Sequence, residues 1–427
     1  MSTTVSSTTP PSPSLSHLAG AVEQPTFAEA VQSYVSRVRG GDMGSLPALL
    51  ALLVLTGVFV VLKPETFLLT ANIANLFQQG AVVATLAMGL VFVLLLGEID
   101  LSAGYASGVC GTVLALLMTR YGWPWYLAVV AALATGIVIG LVLGFMVAKI
   151  GMPSFVATLA AFLAFQGVVL ILIGSGGNIA VVDPVITALE NNNVPPLWGW
   201  VLGVVAVVSF AGSSLRTWSG RRSRGLLAAP IQLVVLKIVV VAVVVFGAVY
   251  ALNQERGVRP EVKSIQGVPV VVPVIVVLAL GLGFVLTRTA FGRHIYAVGG
   301  NAEATRRAGI AVSRVRVACF VICSSMAAVA GVFAVSRANS VDANQGGSNV
   351  LLYAVGAAVI GGTSLFGGKG RIADALIGAA VIAIIDNGMG LLGYAAGIKY
   401  VVTGIVLAAA AAVDALSRRR ARATGRG

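Results

Sequence analysis

Residues 79–119 read QGAVVATLAMGLVFVLLLGEIDLSAGYASGVCGTVLALLMT. Two apolar runs, 79–97 and 101–119, are separated by Gly97-Glu98-Ile99-Asp100-Leu101-Ser102, which sets two carboxylates between them. Each run is close to the roughly 20 residues that a helix needs to cross a bilayer. Inside hydrocarbon the backbone must satisfy its own polar groups, so such runs are helices. Working outward, ten more apolar segments follow the same pattern: 46–62, 125–147, 154–174, 197–212, 231–252, 267–287, 317–336, 351–367, 372–392 and 397–416. The fold class expected is an all-α polytopic membrane protein with about 12 transmembrane segments.

The whole chain agrees with this reading. Of its 427 residues 58% are hydrophobic and only 10% charged, against about 25% charged in soluble domains. That balance excludes a soluble enzyme, a disordered chain and a disulfide scaffold. Cys110, Cys319 and Cys323 all fall in apolar stretches, and Cys319 and Cys323 share a helical face without His or acidic neighbours. They make no zinc pattern, and no metal site is expected.

The 28 Lys and Arg against 15 Asp and Glu give a formal charge of +13. In a soluble protein this would suggest nucleic acid, but in a membrane protein loop cations report orientation. With the N-terminus inside, 20 of the 28 cations fall on the cytoplasmic side. Seven fall outside (Lys63, Arg120, Arg256, Arg259, Lys263, Arg337 and Lys399), and Lys237 lies within a segment. Both termini are therefore expected in the cytoplasm. The domain plan is a cytoplasmic tail over 1–45, whose Ser-, Thr- and Pro-rich start reads as disordered, a transmembrane domain over 46–416, and a basic cytoplasmic tail over 417–427.

Two features within the spans bear on packing. Ala132, Gly136, Gly140, Gly144 and Ala148 recur every four residues, a small-residue stripe that lets helix backbones approach where lipid offers no hydrophobic drive. The segments at 79–119 and 351–392 also resemble one another, each running from a small-residue helix through a polar break into a second helix. The second break is Gly361-Gly362-Thr363-Ser364-Leu365-Phe366-Gly367-Gly368. Paired broken helices in two halves are a mark of transporters built by internal repetition.

The polar residues at these breaks carry two readings each. Glu98 and Asp100 are two apart and cannot share a helical face, so an irregular turn is expected. Asp100 or Ser102 fits a helix cap, and Glu98, Asp100 and Ser102 also fit a polar path for a hydroxylated solute, or a proton-coupling site. Asp386 and Asn387 interrupt the eleventh segment, and Gln166 the fifth. An acid and amides can bind sugar hydroxyls, which need acceptors and donors, or can form interhelical hydrogen bonds.

The loop 288–316, RTAFGRHIYAVGGNAEATRRAGIAVSRVR, is too patterned for a simple turn. Asn301 suits an N-cap, Glu303 the first turn, Arg306 and Arg307 the last, and Gly309 the C′ position, all agreeing with the dipole of a two-turn helix. Helices this short are unstable alone in water, so it needs a partner surface. Gly368-Lys369-Gly370 fails as a phosphate loop, because Gly370 stands where Ser or Thr is required and Thr363 where the first Gly is required. His17 and His294 are the only histidines, and no nucleophile–base pair is evident. The chain is not read as an enzyme and is expected to bind no cofactor itself.

With these residues in view the chain resembles the permease subunits of bacterial ATP-binding-cassette sugar importers of the ribose, arabinose and xylose branch. The resemblance rests on Gly97 to Gly104 (GEIDLSAG), Pro153-Ser154-Phe155 leading into Thr158-Leu159, Thr289 to Arg293 with Gly300-Asn301, Ala308-Gly309-Ile310, and Ile360 to Ser364. Within that branch Glu98, the stretch Asp386-Asn387-Gly388-Met389 and an extra pair of segments at about 197–265 are similar to the D-xylose type. Two positions depart from the pattern, Arg307 where relatives carry an apolar residue and Gln166 where the xylose type has Arg. The resemblance implies ten core spans plus that inserted pair, in the bacterial cytoplasmic (inner) membrane. It implies a permease homodimer surrounded by membrane lipid that carries a monosaccharide of the xylose kind and binds no nucleic acid. ATP-Mg would be hydrolysed on a separate cassette subunit, and an extracytoplasmic binding protein would deliver the sugar. Gly300, Asn301, Glu303, Arg306, Arg307 and Gly309 would then form the coupling element that receives the cassette. From the residues alone, an ion-coupled secondary sugar transporter is the alternative, and within the branch a ribose permease.

Overall fold

A computed structural model describes residues 25–39, 44–174, 177–257, 259–262 and 264–423. The Ser-, Thr- and Pro-rich start of the chain and the last four residues of the basic tail lie outside them. The elements run α1 (Phe27–Arg39), α2 (Leu46–Leu62), a single turn α3 (Pro64–Phe67), α4 (Thr70–Leu95), α5 (Ala103–Thr119), α6 (Trp125–Phe145) and α7 (Ser154–Ile173). Next come β1 (Asn178–Ala180), α8 (Pro184–Asn191), β2 (Asn193–Val194), α9 (Pro196–Ser223), α10 (Ile231–Leu252), β3 (Val268–Pro269), α11 (Val271–Arg288), α12 (Ala290–Gly300) and α13 (Ala302–Arg307). The chain closes with α14 (Val312–Ala338), β4 (Ser340–Asp342), α15 (Ser348–Gly361), α16 (Ile372–Leu391) and α17 (Ala396–Ala423).

Each apolar segment of the sequence is a helix. Nine among the described residues are long and apolar enough to span a bilayer, and α2, α5 and α15 are shorter apolar helices. The protein is an all-α polytopic membrane protein. Among the described residues sheet is confined to two short antiparallel pairs, β1 with β4, in which Ile179 faces Val341, and β2 with β3.

Contacts divide the chain into two units. One comprises Met1–Ser36 and Gly203–Phe246. Within it the Trp218 indole N–H donates to the Ala229 carbonyl at 3.0 Å, and the Arg222 guanidinium lies 5.3 Å from the Trp218 ring centre. The first of these contacts ties the two sides of the turn between α9 and α10, the middle of the extra pair of segments, and the second lies within α9.

The other unit comprises Arg37–Leu202 and Gly247–Gly427. Its core is α4, buried throughout from Leu86 to Leu95, with α14 alongside. α14 packs most extensively on α6, along the small-residue stripe. A Cβ added at Gly140 would lie 2.4 Å from Val321 Cα, at Gly136 2.6 Å from the Ser324 oxygen, and at Gly144 2.8 Å from Val317 Cα. Larger side chains would hold the backbones apart, and dispersion falls steeply with such gaps.

α4 and α14 run antiparallel. Gly89 meets Cys323 and Met326, and Asn75 pairs with Arg337 at 3.2 Å. Two arginines mark the ends of α14: Arg316 pairs with Glu98 and Arg337 with Asn75. They are 21 residues apart, about 32 Å at 1.5 Å per residue, which matches a hydrocarbon core about 30 Å thick.

Candidate functional site

The loop between α11 and α14 is two helices rather than one. Thr289 turns the chain out of α11, its hydroxyl donating to the Val285 carbonyl at 2.6 Å and accepting from the Gly292 N–H at 3.1 Å. This starts α12, which the sequence pattern did not separate from the rest of the loop. Asn301 breaks the helix and caps α13 by accepting from the Ala304 N–H at 2.9 Å. Glu303 pairs with Arg306 at 3.1 Å and Arg307 at 3.3 Å, all three side chains more than half exposed. Gly309, at φ +84°, ends the unit in the left-handed region. Exposed ion pairs contribute about 0–1 kcal/mol, so this charged face does not hold α13 in place. α12 behind it does.

α12 docks backbone to backbone. A Cβ at Gly299 would sit 1.8 Å from the Leu95 carbonyl oxygen and 2.8 Å from the Gly368 nitrogen. The Gly368 N–H donates to that same Leu95 oxygen at 2.9 Å, and the Tyr296 hydroxyl donates to the Gly370 carbonyl at 2.7 Å. A Cβ at Gly367 would meet the Gly97 nitrogen at 2.9 Å. The two breaks, 270 residues apart in sequence, therefore touch each other and share one contact with α12. Gly97 and Gly367 both have positive φ, +75° and +84°, which a side chain would strain.

The acids of the first break have separate partners. Glu98 faces Arg316 at 3.1 Å with both side chains mostly buried. Asp100 is fully buried, and one carboxylate oxygen accepts from the Ser102 N–H at 2.9 Å and the Ser102 hydroxyl at 2.7 Å. Its other oxygen has no hydrogen-bond partner among the described residues. Asp100 lies beside Cys323, seven residues along α14 from Arg316, hence about 10 Å inward. Ser154 and Thr158 of α7 hold the turn between these acids, with the Ile99 N–H donating to Ser154 at 3.2 Å and Thr158 donating to the Ile99 carbonyl at 3.2 Å. Ser102 precedes α5, but its side chain makes no cap bond.

Asp386 and Asn387 stand elsewhere. Asn387 and Asn72 exchange amide hydrogen bonds of 2.8 and 3.0 Å, and Asp386 pairs with Lys399 at 3.5 Å. Asn72 lies at the start of α4 and Leu95 at its end, 23 residues on and so about 35 Å away. The structure thus brings Glu98, Asp100 and Ser102 together at one end and Asp386 with Asn387 at the other. Gln166 is half-buried on α7, and its side chain makes no hydrogen bond among the described residues.

The far end also holds an acid that sequence reasoning passed over. Glu190 is 1% exposed, and neither carboxylate oxygen has a hydrogen-bond partner among the described residues. Burial pushes its pKa up to about 8, with the Arg337 charge opposing. Its main-chain N–H donates to Ser336 at 3.0 Å, and Gln78 donates to its carbonyl. Asp183-Pro184, a cap followed by Pro at the first helical position, was the sequence signal for the short helix that buries it.

Comparison with known proteins places these features in context. Residues 72–411 match the family described as branched-chain amino acid transport system / permease component. The xylose transport system permease protein XylH of Escherichia coli (strain K12) is 37% identical over 354 residues, 83% of this chain and 87% of the relative. The protein of the same name from Haemophilus influenzae is 35% identical over 378 residues, 87% of this chain and 96% of the relative. The ribose import permease protein RbsC of Escherichia coli (strain K12) is 32% identical over 367 residues, 86% and 92% of the two chains. No solved structure matches.

Proposed function

The chain belongs to the family of transport-system permease components, and from that premise we propose that it is the membrane subunit of an ATP-binding-cassette importer for a monosaccharide of the xylose type. Two xylose-system relatives aligned over more than four-fifths of the chain support the substrate class, and a ribose-system relative supports the same branch. The observation that carries the mechanism is the single junction between α12 and both helix breaks.

In this reading the end bearing α12 and α13 faces the cytoplasm of a bacterium, and both termini are cytoplasmic. The cation count of the sequence supports this orientation. A cassette subunit, carrying ATP-Mg, docks on the exposed face formed by Glu303, Arg306 and Arg307. Closure of the cassettes pushes α13, and α12 passes the push to Leu95 and Gly368 together. Both halves of the chain then move as one, because Gly299 meets Leu95 and Gly368 through backbone, with no side chain at that contact to absorb the displacement. A second copy completes the path, a binding protein delivers sugar to the far end, Asp386 and Asn387 are the polar groups that meet it there, and Gln166 of α7 lies further along the path.

The test is uptake of labelled xylose into vesicles holding the permease, its cassette and its binding protein. Uptake should require internal ATP and the cassette. Uptake driven by an ion gradient alone would overturn the reading in favour of an ion-coupled transporter, with Asp100 as the first group to examine. Replacing Glu303, Arg306 and Arg307 together by Ala should abolish sugar-stimulated ATPase activity while the permease still inserts and assembles.

A further inference from the structure

Where α6 reaches the α12 end of the second unit, a groove of about 920 Å³ opens between α6 and α14. Its walls include Leu141, Val142, Phe145 and Val321, and the side chains of Lys149 and Arg314 line it as well. Leu141, Val142 and Phe145 are 48%, 53% and 56% exposed, so the walls face outward from the bundle. Such a surface on a membrane helix is in itself ordinary. The two cations are not.

Lys149 lies in a five-residue π-turn, Met146–Ile150, that continues α6 and ends at Gly151 with φ +84°. Ser313 ties this turn to α14 by donating to the Ala148 carbonyl at 3.2 Å. Arg314 comes from the first turn of α14. Both cations are exposed and neither has an ion-pair partner among the described residues, whereas Arg316 nearby is taken by Glu98. They sit just beyond the Arg316 level, where α14 leaves the hydrocarbon, and the apolar walls run from there into the membrane. An apolar slot parallel to the helices with two unneutralised cations at its interfacial mouth matches a molecule with an anionic head and a hydrocarbon tail. Cations between helices at such a depth attract anionic headgroups at about five-fold in affinity each.

We infer that the α6–α14 groove binds an anionic phospholipid, its phosphate between Lys149 and Arg314 and one acyl chain along Leu141, Val142, Phe145 and Val321. A second copy of the chain fits less well, because it would have to bring a free carboxylate to this level. Within the second unit the acids at this end with described side chains, Glu98, Asp100, Glu303 and Asp374, are each ion-paired or buried. The inference does not depend on the identity of the transported sugar.

The full-length chain, purified in detergent and titrated with phosphatidylglycerol or phosphatidylcholine, is read by native mass spectrometry. The expected result is one phosphatidylglycerol per chain held roughly 30-fold more tightly than phosphatidylcholine, the product of two cations. Lys149→Ala with Arg314→Ala should bring the two lipids to near parity, and both positions are exposed, so an unchanged unfolding temperature confirms an intact fold. Val142→Trp, which fills the slot, should weaken retention of phosphatidylglycerol as well. An undiminished preference in the double variant would overturn the site. Equal competition by the tail-free headgroup glycerophosphoglycerol would replace lipid with a soluble phosphate. Efficient disulfide cross-linking of Val142→Cys between two chains in native membranes would put a second copy in the groove instead.

Discussion

At the α12 end of the second unit the chain meets itself through backbone: Gly299 on Leu95, Gly368 on the same oxygen, Gly367 on Gly97. At the opposite end, beside the short backbone pairs β1–β4 and β2–β3, it meets itself through polar side chains. Asn72 and Asn387 exchange amides, Asn75 holds Arg337, Asn191 donates to the Ser336 carbonyl at 2.7 Å, and Arg120 donates to the Ile173 carbonyl at 2.7 Å. Backbone contact with no intervening rotamer is stiff, since any displacement moves the main chain itself. Side-chain bonds at about 1 kcal/mol each can be exchanged one at a time. A permease needs both properties, a stiff end to receive a push and a compliant end to part around a solute. The distribution of glycine and amide residues supplies them at opposite ends of the same helices.

The sharpest way to break this contrast is at Gly299. Gly299→Ala puts a methyl group into the Leu95 carbonyl and should cost about 3 kcal/mol, the upper end for overpacking, with loss of transport. Gly300→Ala, whose added Cβ meets nothing within 4 Å, should change stability by less than about 0.5 kcal/mol. Thermal unfolding of the two variants side by side checks the stiffness assigned to this end. Equal effects would remove it.

The next effect belongs to the far end and is read by pH. The folded-state pKa of Glu190, about 8, stands above the ordinary 4.5, so the folded chain binds this proton more tightly than the unfolded one. Stability is fully present below about pH 4.5 and is lost as pH rises toward 8, by up to about 1.4 kcal/mol per unit. Glu190→Gln should flatten that slope in unfolding measurements from pH 5 to 9 and leave the variant more stable than the parent at pH 9. The smallest effect is the amide exchange. A double-mutant cycle on Asn72 and Asn387 should return a coupling of about 0.6 kcal/mol, within the range for hydrogen bonds between membrane helices. A much larger value would mean that the far end is as stiff as the near one.

Much of the fold was legible because lipid imposes one rule on every span. The window 46–62 became α2 with the same limits, and Ser154–Ile173 differs from its window by one residue. The Asn301 cap and Gly309 terminator were readable because they are local chemistry. α12 was not: Phe291, Ile295 and Val298 stand at helical spacing, but three glycines in AFGRHIYAVGG weaken the helix signal, and the surface it packs on, at Leu95 and Gly370, is far away in sequence. α8 and the β1–β4 pair were missed because each is too short to stand out beside the long apolar spans, and with them the burial of Glu190. The site divided in the same way. The sequence marked both breaks as polar interruptions, but their meeting at Gly97 and Gly367 depends on contacts between distant parts of the chain. The separation of Asp386 from Asp100 likewise follows from the length of α4, along which Asn72 and Leu95 lie 23 residues apart.

The spacing of Arg316 and Arg337 carries a consequence for the surrounding bilayer. α14 cannot tilt by itself to suit a different thickness, because the glycine stripe fixes it to α6. A membrane thicker than the distance between the two arginines must thin around the protein or draw a charge into hydrocarbon, at fractions of a kcal/mol for each Å of mismatch. Transport by this chain should therefore depend on the acyl length of its host membrane, with an optimum near the thickness that its two arginines measure.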